Sequence, residues 1–373
     1  MKKLFFLFLC LSFLPWLGAL EVQLEVKWEN TSLQPLILEM DTLGQLKEIS
    51  PISTNNEFGI TTALWELTSI EEDRVKIYVQ NKDYLGDFSD WSEYSWLDYV
   101  EVKVNIDDLQ YSLKPSGGLG AVWFVGELFP KEGLWIPVNQ VVPLMNTVYG
   151  LVKDSSTGLG IKDVIIQGSS TNDAILIRDK TSESGLYLGF VDEGEYTVQF
   201  TRRGFLPAIW TLPFTSPPTP QRMDVGLSPS LTPLQMRVVL NWDHYPEDLN
   251  LILRGTDESG ESIYLEEGVF RFYREVAFLE LIGNTEFASE SIVLEDWKKG
   301  NWKILVRAVS INPQSRIFSY SKARIMIFLG DGETLSFTIP EGNSGDLWEV
   351  ADLIDGVLEP VNTLVEMDEI QLN

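Results

Sequence analysis

The chain is poor in the residues from which most active sites are built. Among 373 residues there is one histidine, His244, and one cysteine, Cys10. A single imidazole excludes His-rich zinc sites and two-histidine mechanisms. Cys10 lies inside an apolar run near the N-terminus. If that run is removed as a leader, no disulfide and no thiol chemistry remain. Basic residues are scarce too, 28 Lys and Arg against 55 Asp and Glu, for a formal charge of −27. A surface of that sign repels phosphate backbones and anionic membranes, so nucleic-acid binding is not expected. After the first twenty residues no apolar run is long enough to span a bilayer, and no transmembrane segment is expected.

What remains fits a folded protein: 44% of residues are hydrophobic and 12% aromatic, in a length that supports two or three cores. Lys2 and Lys3 precede an apolar run from Leu4 to Leu14, then Pro15 and the small residues Gly18 and Ala19. That is the pattern of a secretory signal peptide over residues 1–19. Phe8 and Leu9 ahead of Cys10 do not suit a lipidated cysteine. Loss of Lys2 and Lys3 with the leader takes the charge to −29. A secreted or periplasmic protein of a bacterial envelope is expected.

The chain also says one long phrase twice. Val100–Val125 and Ala323–Val350 each hold an alternating strand, an acidic turn and a second strand ending at Pro115 or Pro340. A Gly/Ser loop follows, then Trp123 or Trp348 eight residues past the proline. Both phrases lead to a matching end, GLWIPVN at 133–139 and GVLEPVN at 356–362. Self-similarity at domain length points to a modular protein. The period of two in LEVQLEVKW (20–28), VKIYVQ (75–80) and VEVKVNI (100–106) is that of half-buried antiparallel strands. The expected fold is all-β, with three tandem β-sandwich domains after the signal peptide: residues 20–145, 146–229 and 230–373.

The middle stretch has another rhythm, with Gly150 and Val152, Thr157-Gly158, Thr181 with Gly185 and Tyr187, Gly194 and Tyr196, and Gly204-Phe205. Glycines at such spacing suit tight turns that need positive φ. These residues resemble the carboxypeptidase regulatory-like domain, a seven-stranded prealbumin-like sandwich, and the resemblance implies a non-catalytic stability or presentation module. Ser228–Pro233, SPSLTP, reads as a linker stiffened by its prolines. The last domain resembles an uncharacterised bacterial β-sandwich family with an L-x-W-D and D-h-D-h-H pattern (h apolar). Trp242-Asp243, Asp248, Leu249, Glu290 and Gly300-Asn301-Trp302 fit it, whereas Asn250 and Ile252 depart from it. The front copy keeps Trp28 and Glu57.

No set of residues announces a reaction. His244 sits in WDHYPED with no G-x-S-x-G elbow elsewhere to serve it, and reads as a solvated loop histidine. Any two carboxylates at the right distance could hydrolyse a glycosidic bond, but 55 acids cannot be ranked. Three acidic clusters, Asp107-Asp108, Asp331-Gly332-Glu333 and Asp243/Glu247/Asp248, could recruit Ca²⁺. None matches an EF-hand loop, and Asp and Gly belong in hairpin turns for backbone reasons, so no metal or other cofactor is expected. Trp28, Trp123, Trp242 and Trp348 recur in the copies as core anchors. The richest local composition is DYLGDFSDWSEYSWLDY, residues 83–99. Its rings Tyr84, Phe88, Trp91, Tyr94, Trp96 and Tyr99 lie among acids and serines, as in a patch that binds glycan or protein. The bland alternative is a long hairpin packed on its own sheet. The expected function is non-catalytic: binding or presentation of protein or glycan partners at the envelope, with carbohydrate binding through the aromatic strip, or a carboxylate-dependent hydrolase, as the other readings.

Overall fold

A computed structural model describes residues 22–367 except 30–32, 41–45, 68–73, 82–99, 108, 116–121, 130–133, 143–146, 171–174, 192–193, 215–219, 244, 247, 268–275, 284–287 and 310–316. Among the described residues there is no α-helix, and the all-β expectation holds. In chain order the front stretch forms β1 (Val22–Trp28), β2 (Leu33–Met40), β3 (Leu46–Glu48), β4 (Ser53–Glu57), β5 (Ile60–Glu66), β6 (Arg74–Asn81), β7 (Val100–Ile106), β8 (Leu109–Leu113), β9 (Val122–Phe129) and β10 (Leu134–Val142). They make two five-stranded sheets, β4-β5-β1-β7-β8 and β10-β9-β6-β2-β3. The alternation seen in the sequence is the cause. Val22, Leu24, Val26 and Trp28 point inward from β1, and Val100, Val102, Val104 and Ile106 from β7, to meet Ile77, Val79 and Trp123 across the sandwich.

The middle stretch forms β11 (Thr147–Asp154), β12 (Ile165–Ser170), β13 (Ile175–Lys180), β14 (Leu186–Phe190), β15 (Gly194–Thr201), β16 (Ala208–Phe214), β17 (Gln221–Arg222) and β18 (Val225–Leu227). One sheet is β13-β12-β15-β16. In the other, β14 flanks β11, and β17 and β18 run parallel to β11 as two halves of one strand. The motif residues have local jobs. Gly185 turns at φ +85°. Thr181 accepts from the Val164 N–H and donates to Ile161 O. The Tyr187 hydroxyl donates to Met223 O at 2.7 Å.

The end stretch forms β19 (Met236–Asn241), β20 (Leu249–Thr256), β21 (Ser262–Leu265), β22 (Ala277–Leu281), β23 (Ser289–Leu294), β24 (Asn301–Ala308), β25 (Arg324–Leu329), β26 (Thr334–Thr338), β27 (Leu347–Ile354) and β28 (Val357–Val365). Its sheets are β22-β23-β19-β25-β26 and β21-β20-β24-β27-β28. Set beside the front sheets, β1 to β10 correspond one for one to β19 to β28, in the same order. Trp123 and Trp348 are both fully buried. Each donates from Nε1 to an asparagine side chain, Asn139 at 2.9 Å and Asn362 at 3.0 Å. Both asparagines have positive φ, 49° and 47°, and both strand pairs shift register at that point. The repeated P-V-N is thus a bulge that aims an amide at a core tryptophan. Asn139→Ala and Asn362→Ala are each expected to cost about 1–3 kcal/mol in urea unfolding, since a buried N–H loses its acceptor. Asn→Ser, which keeps an acceptor, is expected to cost less.

Pairing corrects one expectation. Val26 faces Ala63 in the front unit as Leu240 faces Glu290 in the end unit. Ala63 is therefore the counterpart of Glu290, and Glu57 is an exposed residue of β4. The proline-rich stretch is also no free spacer. Ser228 is buried, its carbonyl accepts from Leu206 N–H at 2.8 Å, and its hydroxyl accepts from Arg237 Nη1 at 2.6 Å. Proline stiffness is there, but both neighbours hold the segment.

Candidate functional site

The two copies bury different outer sheet faces. The outer face of β19 and β25 should be solvated by analogy with β1, whose Glu25 pairs with Lys27 and Lys103 at the surface. Instead Val239, Met326 and Phe328 are fully buried and belong to the middle unit's core cluster. Around that seam the Ser291 hydroxyl donates to Ser155 O at 2.7 Å, and Thr334 to Pro207 O at 3.1 Å. The sequence carries the signal: β25, RIMIFL, is apolar on both faces, as a strand buried on both sides must be.

The front unit buries its other outer face, that of β6 and β9. Tyr149 of the middle unit packs against Leu38, Tyr78, Val122 and Val142, and Tyr78 stacks on Phe124 with centroids 4.5 Å apart. Towards the far end of these strands, Phe129 and Ile136 meet Ile317 and Tyr320 of the end unit. Phe129 and Tyr320 rings lie 5.4 Å apart, and the Arg74 guanidinium sits 5.5 Å from the Tyr320 centroid and 5.7 Å from that of Phe129.

Charge is locked into this seam. Arg74 Nε donates to Glu127 Oε2 at 2.7 Å, and both side chains are almost fully buried. Burial works to lower the Arg74 pKa, but Glu127 and Glu341 outweigh it and hold it above the ordinary value. Lys76, opposite Glu127 in the ladder, is pulled down to about 7 by burial, with Lys322 and Arg74 adding like-charge repulsion. Lys322 in turn pairs with Asp243 at 3.1 Å. The arrangement is a buried ionic knot shared by the front and end units. Neither Arg74, Lys76 nor Glu127 was singled out by sequence reasoning. Their signal is faint: charges in otherwise apolar strands, RVKIYV and VWFVGELF.

A second cluster lies at one end of the last sandwich. Glu290 points inward from β23, is fully buried, and accepts from the Leu251 N–H at 2.7 Å. Burial pushes its carboxyl up to about 8, and Glu267 and Asp248 push in the same direction. Glu267 and Asp248 are themselves raised, chiefly by burial. The fold thus brings Glu290 into the electrostatic reach of Asp248 and Glu267. Asn250 points to the outer face, where it donates to Glu266 at 2.9 Å. Among the described residues no group of three or more His, Cys, Asp or Glu side chains could hold a metal ion.

The remaining sequence candidates fall as follows. Asp331-Gly332-Glu333 is a hairpin turn, with Gly332 at φ +100°. Asp107 ends β7 at φ +48°. His244 and Glu247, and the whole strip with Tyr84, Phe88, Trp91, Tyr94, Trp96 and Tyr99, lie outside the described residues. No described helix is long and apolar enough to cross a membrane.

No family model matches the chain, and no curated protein matches it. Solved structures with some likeness include the major pilin subunit BcpA of Bacillus cereus, at 11% identity and a TM-score of 0.20, over 57% of this chain and 61% of that one. The chain therefore spans about three fifths of that pilin. A Streptococcal ancillary pilin shows 11% identity and a TM-score of 0.20 over 82% of this chain and 88% of its own. The shaft pilin SpaA of Lactobacillus rhamnosus GG shows 13% and 0.20 over 54% and 99%. Each of these is a pilin, and at these scores the likeness carries no argument about this chain.

Proposed function

We propose that the chain is an exported, non-catalytic protein of a bacterial envelope that holds binding surfaces in fixed relation and presents them to protein or glycan partners. Its parts in this reading are a signal peptide (1–19), a front sandwich (20–145), a regulatory-like middle sandwich (146–229) and an end sandwich (230–373). The observation that carries it is the buried docking between units. Arg74 and Glu127 under Tyr320, and Val239, Met326 and Phe328 in the middle core, tie three sandwiches into one array. A set of independent modules would leave those faces polar.

The aromatic strip supports a second reading, carbohydrate binding, because six rings fall within 83–99 and sugar faces stack on such rings. Both readings meet one experiment. Envelope extracts and a glycan array are passed over the secreted chain and over Trp91→Ala/Trp96→Ala. Retention of a protein or a glycan by the first and its loss in the second supports presentation through the strip. Equal retention removes the strip from the function, and turnover of a polysaccharide or peptide library overturns the non-catalytic reading.

A further inference from the structure

The border strand β4 is bare where its twin is occupied. All five residues of β4, STNNE, are exposed, and they pair with β5 in unbroken register from Ser53↔Leu64 to Glu57↔Ile60. No described strand lies on the other side. In the end unit the corresponding border is β22, whose register shifts between Leu279 and Leu281. There Glu280 holds Arg237 at 2.8 Å, and a side chain at Gly158 of the middle unit would touch Leu281 at 3.4 Å. β4 has no proline, no lysine and no such shift, so nothing in it blunts strand addition.

The hairpin tip beside it is strained. Phe58 and Gly59, at φ +55° and +86°, make the two-residue turn between β4 and β5. That is a type I′ turn, in which asparagine is the favoured first residue. Among the described residues seven non-glycines have positive φ; five are Asp or Asn, and Phe58 is the one apolar side chain. A bulky residue strains the backbone there, and its ring, fully exposed, gains no packing in return. At the opposite end of β4, Ile52 is 60% exposed. Two apolar side chains thus bracket a polar strand.

We propose that β4 pairs antiparallel with β4 of a second copy about a two-fold axis at Asn55, joining the two sheets edge to edge. This goes beyond the reading above and does not rest on it. The spacing of the bracket carries the register. With Asn55 facing Asn55, each Thr54 faces Asn56, each Ser53 faces Glu57, and each Ile52 faces Phe58 of the other copy. The exposed apolar side chains then cover one another, and no acid meets an acid. The backbone agrees. Ladder bonds alternate from the closing pair Glu57↔Ile60, which leaves Thr54 and Asn56 directing N–H and C=O groups outward. Those are the residues that this register sets opposite each other. Residues 52–58 carry one charge, Glu57, in a chain at −27, so copies meet there with little repulsion. β8, the other border of the sheet, turns on Asp107 at φ +48°, an ordinary residue for that conformation, with no such ring at its tip. A self-complementary contact is used up in one pairing, so assembly stops at two chains.

A join of one short strand a side falls among small interfaces, under about 1,200 Å² of total buried surface, so weak association is expected. Sedimentation velocity of the secreted chain from micromolar to near-millimolar concentration should show one chain going to two and no further. Asn55→Lys and Asn55→Asp each set like charges face to face and are expected to weaken association at least about tenfold. Mixed in equal amounts they should dimerise again, because lysine then faces aspartate. Phe58→Asn should weaken association while leaving the melting midpoint unchanged or higher, since asparagine suits the turn. Gln110→Lys on β8 should associate as wild type does. Wild type that stays at one chain or grows past two, charged variants that still pair, a mixture that does not, or loss of pairing in Gln110→Lys overturns the proposal. Asn55→Lys leaves the aromatic strip intact, so capture of a glycan or protein through that strip succeeds or fails separately.

Discussion

Arg74→Ala is expected to lose about 3–5 kcal/mol of stability, because it strands the Glu127 carboxylate in a buried seam. Glu127 has only 4% of its side chain exposed, so water cannot replace the guanidinium. The cation-over-ring contacts to Phe129 and Tyr320 go with it. The loss should also change the shape of unfolding. The pair lies on the front unit's face against the end unit, so denaturant melts, expected to be single in wild type, should split as the front unit lets go first. Arg74→Met/Glu127→Leu should recover most of the loss, since apolar replacement of a whole buried pair is often neutral or stabilising by about 1–4 kcal/mol. A single-variant loss below about 1 kcal/mol, the range of a surface pair, would show that the knot is open to solvent.

Stability is expected to pass through a trough near pH 7–8, and Glu290→Gln with Lys76→Met to fill it. Glu290 titrates near 8 when folded, against 4.5 ordinarily. Its raised value favours folding fully below 4.5 and is lost as pH climbs from 4.5 to 8. Lys76 titrates near 7 when folded, against 10.5 ordinarily. Its depressed value favours folding above 10.5 and is lost as pH falls to 7. Both costs are therefore nearly complete between 7 and 8. A tenfold change in proton affinity is worth about 1.4 kcal/mol, which bounds each cost at a few kcal/mol. Glu290→Gln should flatten the acid limb, Lys76→Met the alkaline limb, and their gains at pH 7.5 should add, because the two groups share no interacting neighbour. Thermal midpoints measured from pH 4 to 10 decide it. A wild-type profile that peaks at neutral pH would refute the trough.

The interior of the sandwiches was legible because strand period speaks directly to burial. Val22, Leu24 and Val26 alternate with Gln23, Glu25 and Lys27, and the structure buries the first set and wets the second. The duplication was legible for the same reason: Trp123 and Trp348 keep their spacing to Pro115 and Pro340, and their surroundings match down to the asparagine. What escaped was everything settled by long-range docking. The sequence has Lys76 and Lys303 in like strands, VKIYV and WKILV, yet one is buried at a seam and the other lines an open groove. That difference depends on where whole units come to rest, which no local period encodes. That Ala63, and not Glu57, stands where Glu290 does has the same root, since only pairing register could show it. The aromatic strip, the strongest compositional signal, lies where the structure gives no description.

The small bulge that serves each core tryptophan also guards the molecule's margins. Among the described residues β10 and β28, at nine residues each, are the longest strands, and each ends its sheet with no described strand on its other side. Pro137 and Pro360 withhold a donor midway along them, and Asn139 and Asn362 kink the ribbon two residues later. A neighbouring chain cannot zip onto such a border in register. Edge-to-edge growth between copies is thereby discouraged at these two borders, and the duplication carried that safeguard along with the tryptophan pocket.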